Sequence, residues 1–338
     1  MAASAPRVLV TGATGFIAGY TVADLLAHGY KVRGTVRNTL TSDVAHLHAI
    51  AEKAGGDLEF VSADLGFDAG WGEAVDGCDA VLHMASPVPA SVPKDADEIV
   101  GPAVDGTMRV LRAASGSVRR VVMTSSADAV VHGADHGDRL HTEADWSDPA
   151  LCAPYPKSKT LAERAAWDFA STNGVELVVV NPGTVVGPLQ HPGRPTSMEP
   201  IRMMLSHEIP AVPRLGFALV DVRDVATAHR LALETPAAAG NRYLVADDWM
   251  WMGEMAQVLR GEFGPLGYRV PTRPLPYALM WLVARFDKTV RLGLTYYGMS
   301  MRLDAAKAQR ELGWTARPVG ASLVEAGHSL IDLGVVTR

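Results

Sequence analysis

The sequence predicts an α/β protein, with a doubly wound parallel sheet and a smaller, mostly helical C-terminal lobe. Three observations predict this class. The apolar run Val8–Val10 is followed by a glycine turn and by a helical pattern from Phe16 to His28. Four strand patterns then alternate with helical patterns without a hairpin signal, which is typical of parallel sheets. A fifth strand pattern ends in serines, ahead of a helix that carries a tyrosine and a lysine four residues apart.

A glycine turn separates the first strand from the first helix. Gly12 and Gly15 frame it, and Ala18 stands where the common dinucleotide fingerprint has its third glycine. A strand, a tight turn and a helix in this order direct free N–H groups and the positive end of a helix dipole at a phosphate. The stretch therefore predicts a pyrophosphate site, although plain strand–helix connections use similar turns.

The second strand pattern, Lys31 to Val36, is followed by an arginine where sites for NAD usually carry an acid. Arg33 and Arg37 flank Thr35, and a guanidinium binds a 2′-phosphate through two parallel hydrogen bonds. The sequence therefore predicts NADP as the cofactor, with Arg37 at the strand end as its ligand. The alternative is a pair of solvated arginines.

The next elements extend the sheet on one side. A helical pattern covers Asp43 to Ala54, and the third strand pattern covers Leu58 to Ser62. Asp64 follows this strand. Its carboxylate either accepts a hydrogen bond from an adenine amino group or caps a short helix around Asp68 to Val75.

Two further strands lie ahead of the middle of the chain. The fourth, Asp79 to Met84, runs into a rigid loop, Ala85-Ser-Pro-Val-Pro89, at the edge where such sheets bind ligands. A long helical pattern, Asp95 to Ser115, leads to the fifth strand, Arg120 to Thr124. Ser125 and Ser126 follow it, and either serine can face the ligand crevice or cap a turn.

The chemistry is predicted on the helix that begins near Pro154. Tyr155 and Lys159 are four residues apart and therefore share one helix face. We expect the ammonium to favour the phenolate and to lower the pKa of Tyr155 toward neutrality. The phenol can then give a proton to a carbonyl oxygen and take it back in the reverse direction. Lys159 can also reach a ribose hydroxyl.

The second half of the chain completes the sheet and then becomes mainly helical. We expect the segment Tyr277 to Phe286 to be a buried or interface helix, with a membrane-surface helix as the alternative. The remaining strand patterns are Val175 to Val180, Gly216 to Val220 and Arg242 to Ala246, and the helical patterns are Met198 to His207 and a helix ending at Glu234 that Asp221 or Asp224 caps.

Length and charge limit the architecture and the partners. A chain of 338 residues exceeds what one hydrophobic core usually supports. We expect a dinucleotide-binding domain of residues 1–188 completed by 216–247, and a substrate lobe of 189–215 and 248–338. The net charge of −6 gives no basic surface for nucleic acid.

The sequence further predicts a cytoplasmic protein without a membrane span. Its two cysteines imply no disulfide framework, the first strand leaves no room for a signal peptide, and the longest apolar run is too short to cross a bilayer. No metal is expected. The polar loop that loosely suggests a metal site contains His132, Asp135, His136, Asp138 and His141.

Several motifs, in this order, resemble the extended short-chain dehydrogenases/reductases. Within that group the chain is similar to the branch of dihydroflavonol 4-reductases and cinnamoyl-CoA reductases, which includes microbial NADPH-dependent aldehyde and ketone reductases. The motifs are Thr11-Gly-Ala-Thr-Gly-Phe-Ile-Ala, Asp64-Leu, His83-Met-Ala-Ser-Pro-Val, Thr124-Ser-Ser-Ala, Tyr155-Pro-Lys-Ser-Lys, Asn181-Pro-Gly-Thr-Val-Val-Gly-Pro, Val220-Asp-Val-Arg-Asp-Val-Ala and Lys307-Ala-Gln-Arg-Glu-Leu-Gly-Trp.

The resemblance implies a Rossmann-type fold and assigns roles to single residues. The catalytic serine corresponds to Ser126, and Tyr155 and Lys159 correspond to the tyrosine and lysine of the triad. Arg37 matches the arginine that binds the 2′-phosphate. Val131 stands about where flavonoid reductases carry an asparagine that holds a substrate hydroxyl, which favours a more apolar carbonyl substrate.

The site residues expected around the triad form two groups. Those expected to bind NADP(H) are Thr11, Gly12, Thr14, Gly15, Phe16, Ile17, Arg37, Asp64, Leu65, Ala85, Ser86, Pro87, Thr124, Tyr155, Lys159, Pro182, Gly183 and Val185. Those expected to touch the substrate are Val88, Val131, Met203 and Leu205.

The expected activity is reversible hydride transfer between NADPH and an aldehyde or ketone, by a carbonyl reductase or alcohol dehydrogenase. The expected substrate is fairly apolar and could be aromatic. The protein is expected to act as a monomer or a homodimer. Three alternatives stay open: a nucleotide-sugar epimerase or dehydratase that recycles a bound cofactor, a 3β-hydroxysteroid dehydrogenase-like enzyme, and a non-catalytic NADP sensor. The intact Ser126, Tyr155 and Lys159 argue against the sensor.

Overall fold

The computed structural model describes residues 5–87, 95, 97–133 and 139–337. Its centre is a seven-stranded sheet in which all neighbouring strands are parallel. The strands are β1 (Arg7–Val10), β2 (Lys31–Val36), β3 (Leu58–Ser62), β4 (Ala80–His83), β5 (Arg120–Thr124), β6 (Leu140–His141), β7 (Glu176–Pro182), β8 (Thr184–Val186), β9 (Gly216–Asp221), β10 (Arg242–Val245), β11 (Asp248–Trp251) and β12 (Arg302–Leu303).

The large sheet has the strand order β10-β7-β5-β4-β1-β2-β3. The chain reverses direction across the sheet between β1 and β4, which is where doubly wound folds form their ligand crevice. Every residue of β4 and β5 is buried, because helices cover both faces of the sheet. The predicted doubly wound parallel sheet is confirmed.

Helices cover both faces of this sheet. One apolar core packs α1 (Phe16–Ala27) and α7 (Val222–Glu234) against one face of the sheet. A second packs α4 (Asp97–Ala114) and α5 (Pro154–Asn173) against the other face. The helices are α1 (Phe16–Ala27), α2 (Ala45–Ala54), α3 (Trp71–Val75), α4 (Asp97–Ala114), α5 (Pro154–Asn173), α6 (Glu199–Leu205), α7 (Val222–Glu234), α8 (Met252–Phe263), α9 (Tyr277–Val283), α10 (Lys288–Thr295), α11 (Ala306–Leu312) and α12 (Val319–Asp332).

A third apolar core gathers α6, α8 and α12 next to a small sheet of β8, β9 and β11. Gly216 begins β9 directly under Trp249 of β11. A Cβ at this glycine would lie 1.9 Å from the indole ring, so any other residue here would force the Trp249 side chain to move. Helix α7 begins after Asp221, whose side chain accepts a hydrogen bond from the N–H of Arg223. This identifies the cap among the two aspartates that the sequence offered.

The structure corrects several predicted elements. The helix expected over residues 68–75 begins only at Trp71, because the preceding Gly70 adopts a φ of +87° that no helix can include. The short strands β6, β8, β11 and β12 were not predicted; three of them have only two or three residues, too few to show a strand pattern. Residues 277–286 were expected to form a buried or interface helix, and most of the large apolar side chains there are exposed, so the buried form is wrong.

Within the described ranges, no helix has both the length and the apolar character needed to cross a membrane.

Candidate active site

The ends of the parallel strands bring the predicted site residues to one edge of the sheet. The glycine turn follows β1, Arg37 follows β2, and Asp64 comes two residues after β3. Ser126 comes two residues after β5, and Pro182 closes β7 on the other side of the switch point. Parallel strands present their carboxyl ends together, so side chains far apart in sequence become neighbours here.

The glycine turn leaves donors free at the start of α1. Gly12 has a φ of +65°, and a Cβ there would lie 3.1 Å from the Cβ of Ala85. Gly15 caps α1 without a side-chain hydrogen bond, and the first turn carries no acidic residue. Among the described residues, no partner accepts from the N–H groups of Phe16 and Ile17. The turn therefore offers unpaired donors and a positive helix end to an anion.

Thr11 braces this turn from inside the protein. Its hydroxyl oxygen accepts hydrogen bonds from the N–H groups of Met84 and Ala85, each at 2.9 Å. Its own hydrogen is then left for Nδ1 of His83, 3.0 Å away. Burial and the charge of Lys159 lower the pKa of His83 to about 3, so the imidazole is neutral and can accept. The Thr11 side chain thus ties β1 to β4 and is fully buried.

Arg37 and Arg33 have different surroundings. Arg33 donates to Glu59 at 2.7 Å and to the carbonyl oxygens of Glu73, Ala74 and Asp76. Arg37 is exposed at the strand end and forms no hydrogen bond or ion pair within the described ranges. Only Arg37 therefore keeps its guanidinium free for a phosphate beside the glycine turn.

The other expected cofactor ligands lie around the same edge, and some have their polar groups engaged. One carboxylate oxygen of Asp64 accepts from the N–H of Gly66 at 2.7 Å, so it closes a turn and does not cap α3. The hydroxyl of Thr124 lies 2.7 Å from Nε2 of His229, away from the crevice. The N–H of Gly183 donates to Val245. Leu65, Ser86 and Pro87 are partly accessible.

The predicted triad comes together at the ends of β5 and α5. Ser126 lies close enough to Tyr155 for its hydroxyl to favour the ionised phenol and so to lower its pKa, against the larger opposing effect of burial. Lys159 lies one turn further along α5, with Nζ 5.9 Å from the centre of the Tyr155 ring. The tyrosine is partly accessible, whereas the lysine side chain is buried. The three residues therefore lie close together at this edge of the sheet, as the sequence predicts.

The pKa of the tyrosine differs from the expectation. Burial raises the pKa of Tyr155 above its ordinary value, and the negative charge of Asp128 raises it further. Burial lowers the pKa of Lys159 to about 8, against the attraction of Asp128 and Glu163. The expected lowering of the phenol pKa is thus wrong for the protein on its own, because burial of the phenol is the largest effect and raises the pKa.

Residues 8–246 match the NAD dependent epimerase/dehydratase family. The chain belongs to this family. The match covers the glycine turn, the three residues of the predicted triad and, apart from Arg7, the seven strands of the large sheet. It confirms the resemblance to the extended short-chain dehydrogenases/reductases.

Relatives of this dehydrogenase/reductase carry reductase names. Cinnamoyl-CoA reductase 1 from Petunia hybrida is 42% identical over 79% of each chain. The bifunctional dihydroflavonol 4-reductase/flavanone 4-reductase from Malus domestica is 33% identical over 99% of this chain and all of its own. Among solved structures, the yeast methylglyoxal/isovaleraldehyde reductase Gre2 complexed with NADPH has a TM-score of 0.78, with 28% identity and coverage of 98% and 100%.

Asp128 is a neighbour of the triad that sequence reasoning missed. One carboxylate oxygen lies 3.1 Å from Oγ of Ser126, and the other lies 2.7 Å from Nε2 of His132. A carboxylate only accepts, so the single hydrogen of Ser126 goes to Asp128. No sequence motif marks this contact. It forms because the short 3₁₀ turn Ala127–Ala129 folds Asp128 back toward Ser126, two residues before it.

Glu163 was also missed, and it holds the serine loop from behind. This buried carboxylate accepts from the hydroxyl of Ser125 at 2.5 Å and from the amide of Asn181 at 2.8 Å, and it pairs with Arg242 at 2.8 Å. Asn181 also donates to the carbonyl oxygen of Ser126. A signal was present, since Glu163 lies eight residues after Tyr155 and therefore on the same face of α5.

The expected substrate residues have different surroundings. Val131 is buried in a small apolar cluster with Val130 and Leu244, next to Met301 and Leu303. Leu205 lies in the third apolar core, and Met203 is partly accessible on the same helix. Val88 lies outside the described residues, as do Asp135, His136 and Asp138 of the polar loop.

Proposed function

We propose that this protein reduces an aldehyde or ketone to an alcohol with NADPH, as a carbonyl reductase acting by reversible hydride transfer. One observation carries the proposal. Ser126, Tyr155 and Lys159 lie close together at the carboxyl ends of the strands, with the tyrosine partly accessible and Nζ of the lysine 5.9 Å from the centre of its ring. This set of groups can polarise and protonate a carbonyl oxygen.

The fit to a dinucleotide rests on the chain's own donors. The free N–H groups at the start of α1 would hold the pyrophosphate, and Asp64 keeps one carboxylate oxygen for the adenine amino group. Arg37 would hold the 2′-phosphate, which favours NADP(H) over NAD. The NADPH named with the yeast reductase supports the same choice.

The bound nicotinamide supplies the hydride, and the protein supplies the proton and the positioning. Tyr155 gives its proton to the carbonyl oxygen, and its raised pKa keeps that proton in place until charge builds on the substrate. Ser126 hydrogen-bonds the same oxygen once its hydrogen turns away from Asp128. Lys159 contributes positive charge beside the phenol and reaches toward a ribose hydroxyl.

The proposed substrate is fairly apolar and could be aromatic. Val131 replaces the polar residue expected in flavonoid reductases and continues into an apolar cluster. The names of the plant relatives, which include cinnamoyl-CoA and dihydroflavonol reductases, support an aromatic carbonyl compound. We also propose a cofactor domain of residues 1–188 and 216–247, and a substrate lobe of residues 189–215 and 248–338. The proposed protein is cytoplasmic and works as a monomer or a homodimer.

A nucleotide-sugar epimerase or dehydratase is the second candidate, favoured only by the family to which the chain belongs. Such enzymes recycle a bound cofactor and usually favour NAD. Because NAD has no 2′-phosphate, it would leave Arg37 without a ligand.

The test is an assay of NADPH oxidation over a panel of aliphatic and aromatic aldehydes and ketones, with a nucleotide sugar as comparison. We expect turnover on apolar carbonyl compounds and none with NADH at the same concentration. Tightly bound NAD in the purified protein, with no net oxidation of NADPH on any carbonyl compound, would contradict the proposal.

A further inference from the structure

Helix α9 and the turn after it expose an unusual amount of apolar surface. Eleven large apolar side chains are exposed in the described ranges, and six of them lie between residues 277 and 286. Phe286 is 88% exposed and Trp281 is 45% exposed. We call this set the α9 face; its members are Tyr277, Leu279, Trp281, Leu282, Val283 and Phe286.

The α9 face is the outer side of a helix whose inner side is already packed. Met280 and Ala284 are buried, and the Met280 side chain lies against Gly293 of α10. The rings of Tyr277 and Tyr297 meet edge to face, with centres 5.2 Å apart. The orientation of α9 is therefore fixed from inside, and its large apolar side chains on the outer side are exposed.

Positive charge surrounds the α9 face in a chain whose net charge is −6. Residues 269–291 contain five basic residues and one acid. Arg285 lies over the Trp281 ring at 4.2 Å, and Arg273 and Lys288 are exposed. The one acid, Asp287, accepts from the N–H groups of Thr289 and Val290 as the cap of α10. Its charge is therefore directed to the helix end.

We propose that the α9 face binds the surface of an anionic lipid bilayer. Large apolar side chains bordered by arginine and lysine are typical of segments that lie in the membrane interface without crossing it. Charge favours this partner over a second copy of the chain, because a symmetric dimer through this face would bring the same basic residues together. The inference does not depend on the proposed reaction.

The test is co-sedimentation of the full chain with vesicles of phosphatidylcholine alone or mixed with phosphatidylserine. We expect binding to the mixed vesicles, weaker at high salt, that falls about tenfold or more in the double variant Trp281→Ser and Phe286→Ser. Phe67→Ser is the matched control, because Phe67 is 69% exposed on another part of the surface and should not matter.

A second variant separates charge from folding. Arg273→Glu with Lys288→Glu removes no apolar contact and should abolish the preference for anionic vesicles, while NADPH affinity and thermal stability confirm the fold. Equal binding of wild type to both vesicle types, or no binding to either, would overturn the proposal. A dimer in sedimentation velocity that Phe286→Ser dissociates, without vesicle binding, would assign the face to a second copy.

Discussion

The hydroxyl of Ser126 donates to the carboxylate of Asp128, with 3.1 Å between Oγ and Oδ2. His132 lies 2.7 Å from the other carboxylate oxygen and keeps it in place. The charge of Asp128 raises the pKa of both Tyr155 and Lys159, although burial is the largest cause of each shift. Asp128 therefore helps to keep the phenol and the ammonium protonated, which is the state that carbonyl reduction needs.

Asp128→Asn should shift the pH profile of reduction to lower pH. Lys159 loses its proton above its pKa of about 8, so we expect kcat/KM of the wild type to decline above that pH. Without the negative charge the pKa of Lys159 falls, and the decline should begin at lower pH. The measurement is kcat/KM against pH at saturating NADPH. Asp68→Asn, which removes an exposed carboxylate paired with Arg109, is the control; the same profile for wild type and Asp128→Asn would contradict the role.

Arg37→Ala should weaken NADPH binding by roughly tenfold to a hundredfold, the value of one or two charged hydrogen bonds to a phosphate. NADH binding should not change, since NADH has no 2′-phosphate. Fluorescence titration with both cofactors measures this. Arg33→Ala is the matched control, because Arg33 is held by Glu59 and by three carbonyl oxygens. A loss of NADPH affinity in Arg33→Ala alone would show that Arg33, and not Arg37, binds the 2′-phosphate.

His229 should make the protein less stable in acid. Burial lowers its pKa to about 4, so the unfolded chain binds a proton that the folded protein does not bind between about pH 6.5 and pH 4. The free energy of unfolding should therefore decrease as the pH is lowered through this window, by at most about 3 kcal/mol from this residue. Urea unfolding of wild type and His229→Gln, at about pH 7 and about pH 4.5, measures the difference.

His229→Gln should show a smaller drop, because glutamine can keep the contacts to Thr124 and Val225 without taking up a proton. An equal drop in both proteins would show that His229 does not contribute. His83, with a pKa lowered to about 3, should keep part of the acid sensitivity in the variant.

The sequence was enough to place the sheet, because long apolar strands and a glycine turn are local signals. The spacing of Tyr155 and Lys159 was also local, since one turn of helix fixes their shared face. The spacing from Tyr155 also places Glu163 on that helix face, but its contacts with Ser125 and Asn181 depend on how β5, β7 and α5 pack, which no local pattern reports. The pKa of Tyr155 could not be predicted for the same reason, as burial is a property of the packed protein.

For the apolar segment at α9, the sequence predicted a helix but not which of its side chains would be exposed. The side chains from Tyr277 to Phe286 suggested a buried or interface helix, and hydrophobicity alone could not say which side of the helix the protein would cover. Only the packing of Met280 and Ala284 shows that the inner side is narrow and the outer side open.

The proton of Tyr155 is the centre of the proposed reaction, and Tyr155→Phe tests it most directly. Phenylalanine keeps the ring beside Lys159 and removes only the hydroxyl. We expect kcat for carbonyl reduction to fall by roughly two to four orders of magnitude, while the Kd for NADPH stays within about threefold of wild type. Turnover close to that of wild type, with NADPH bound normally, would contradict the account.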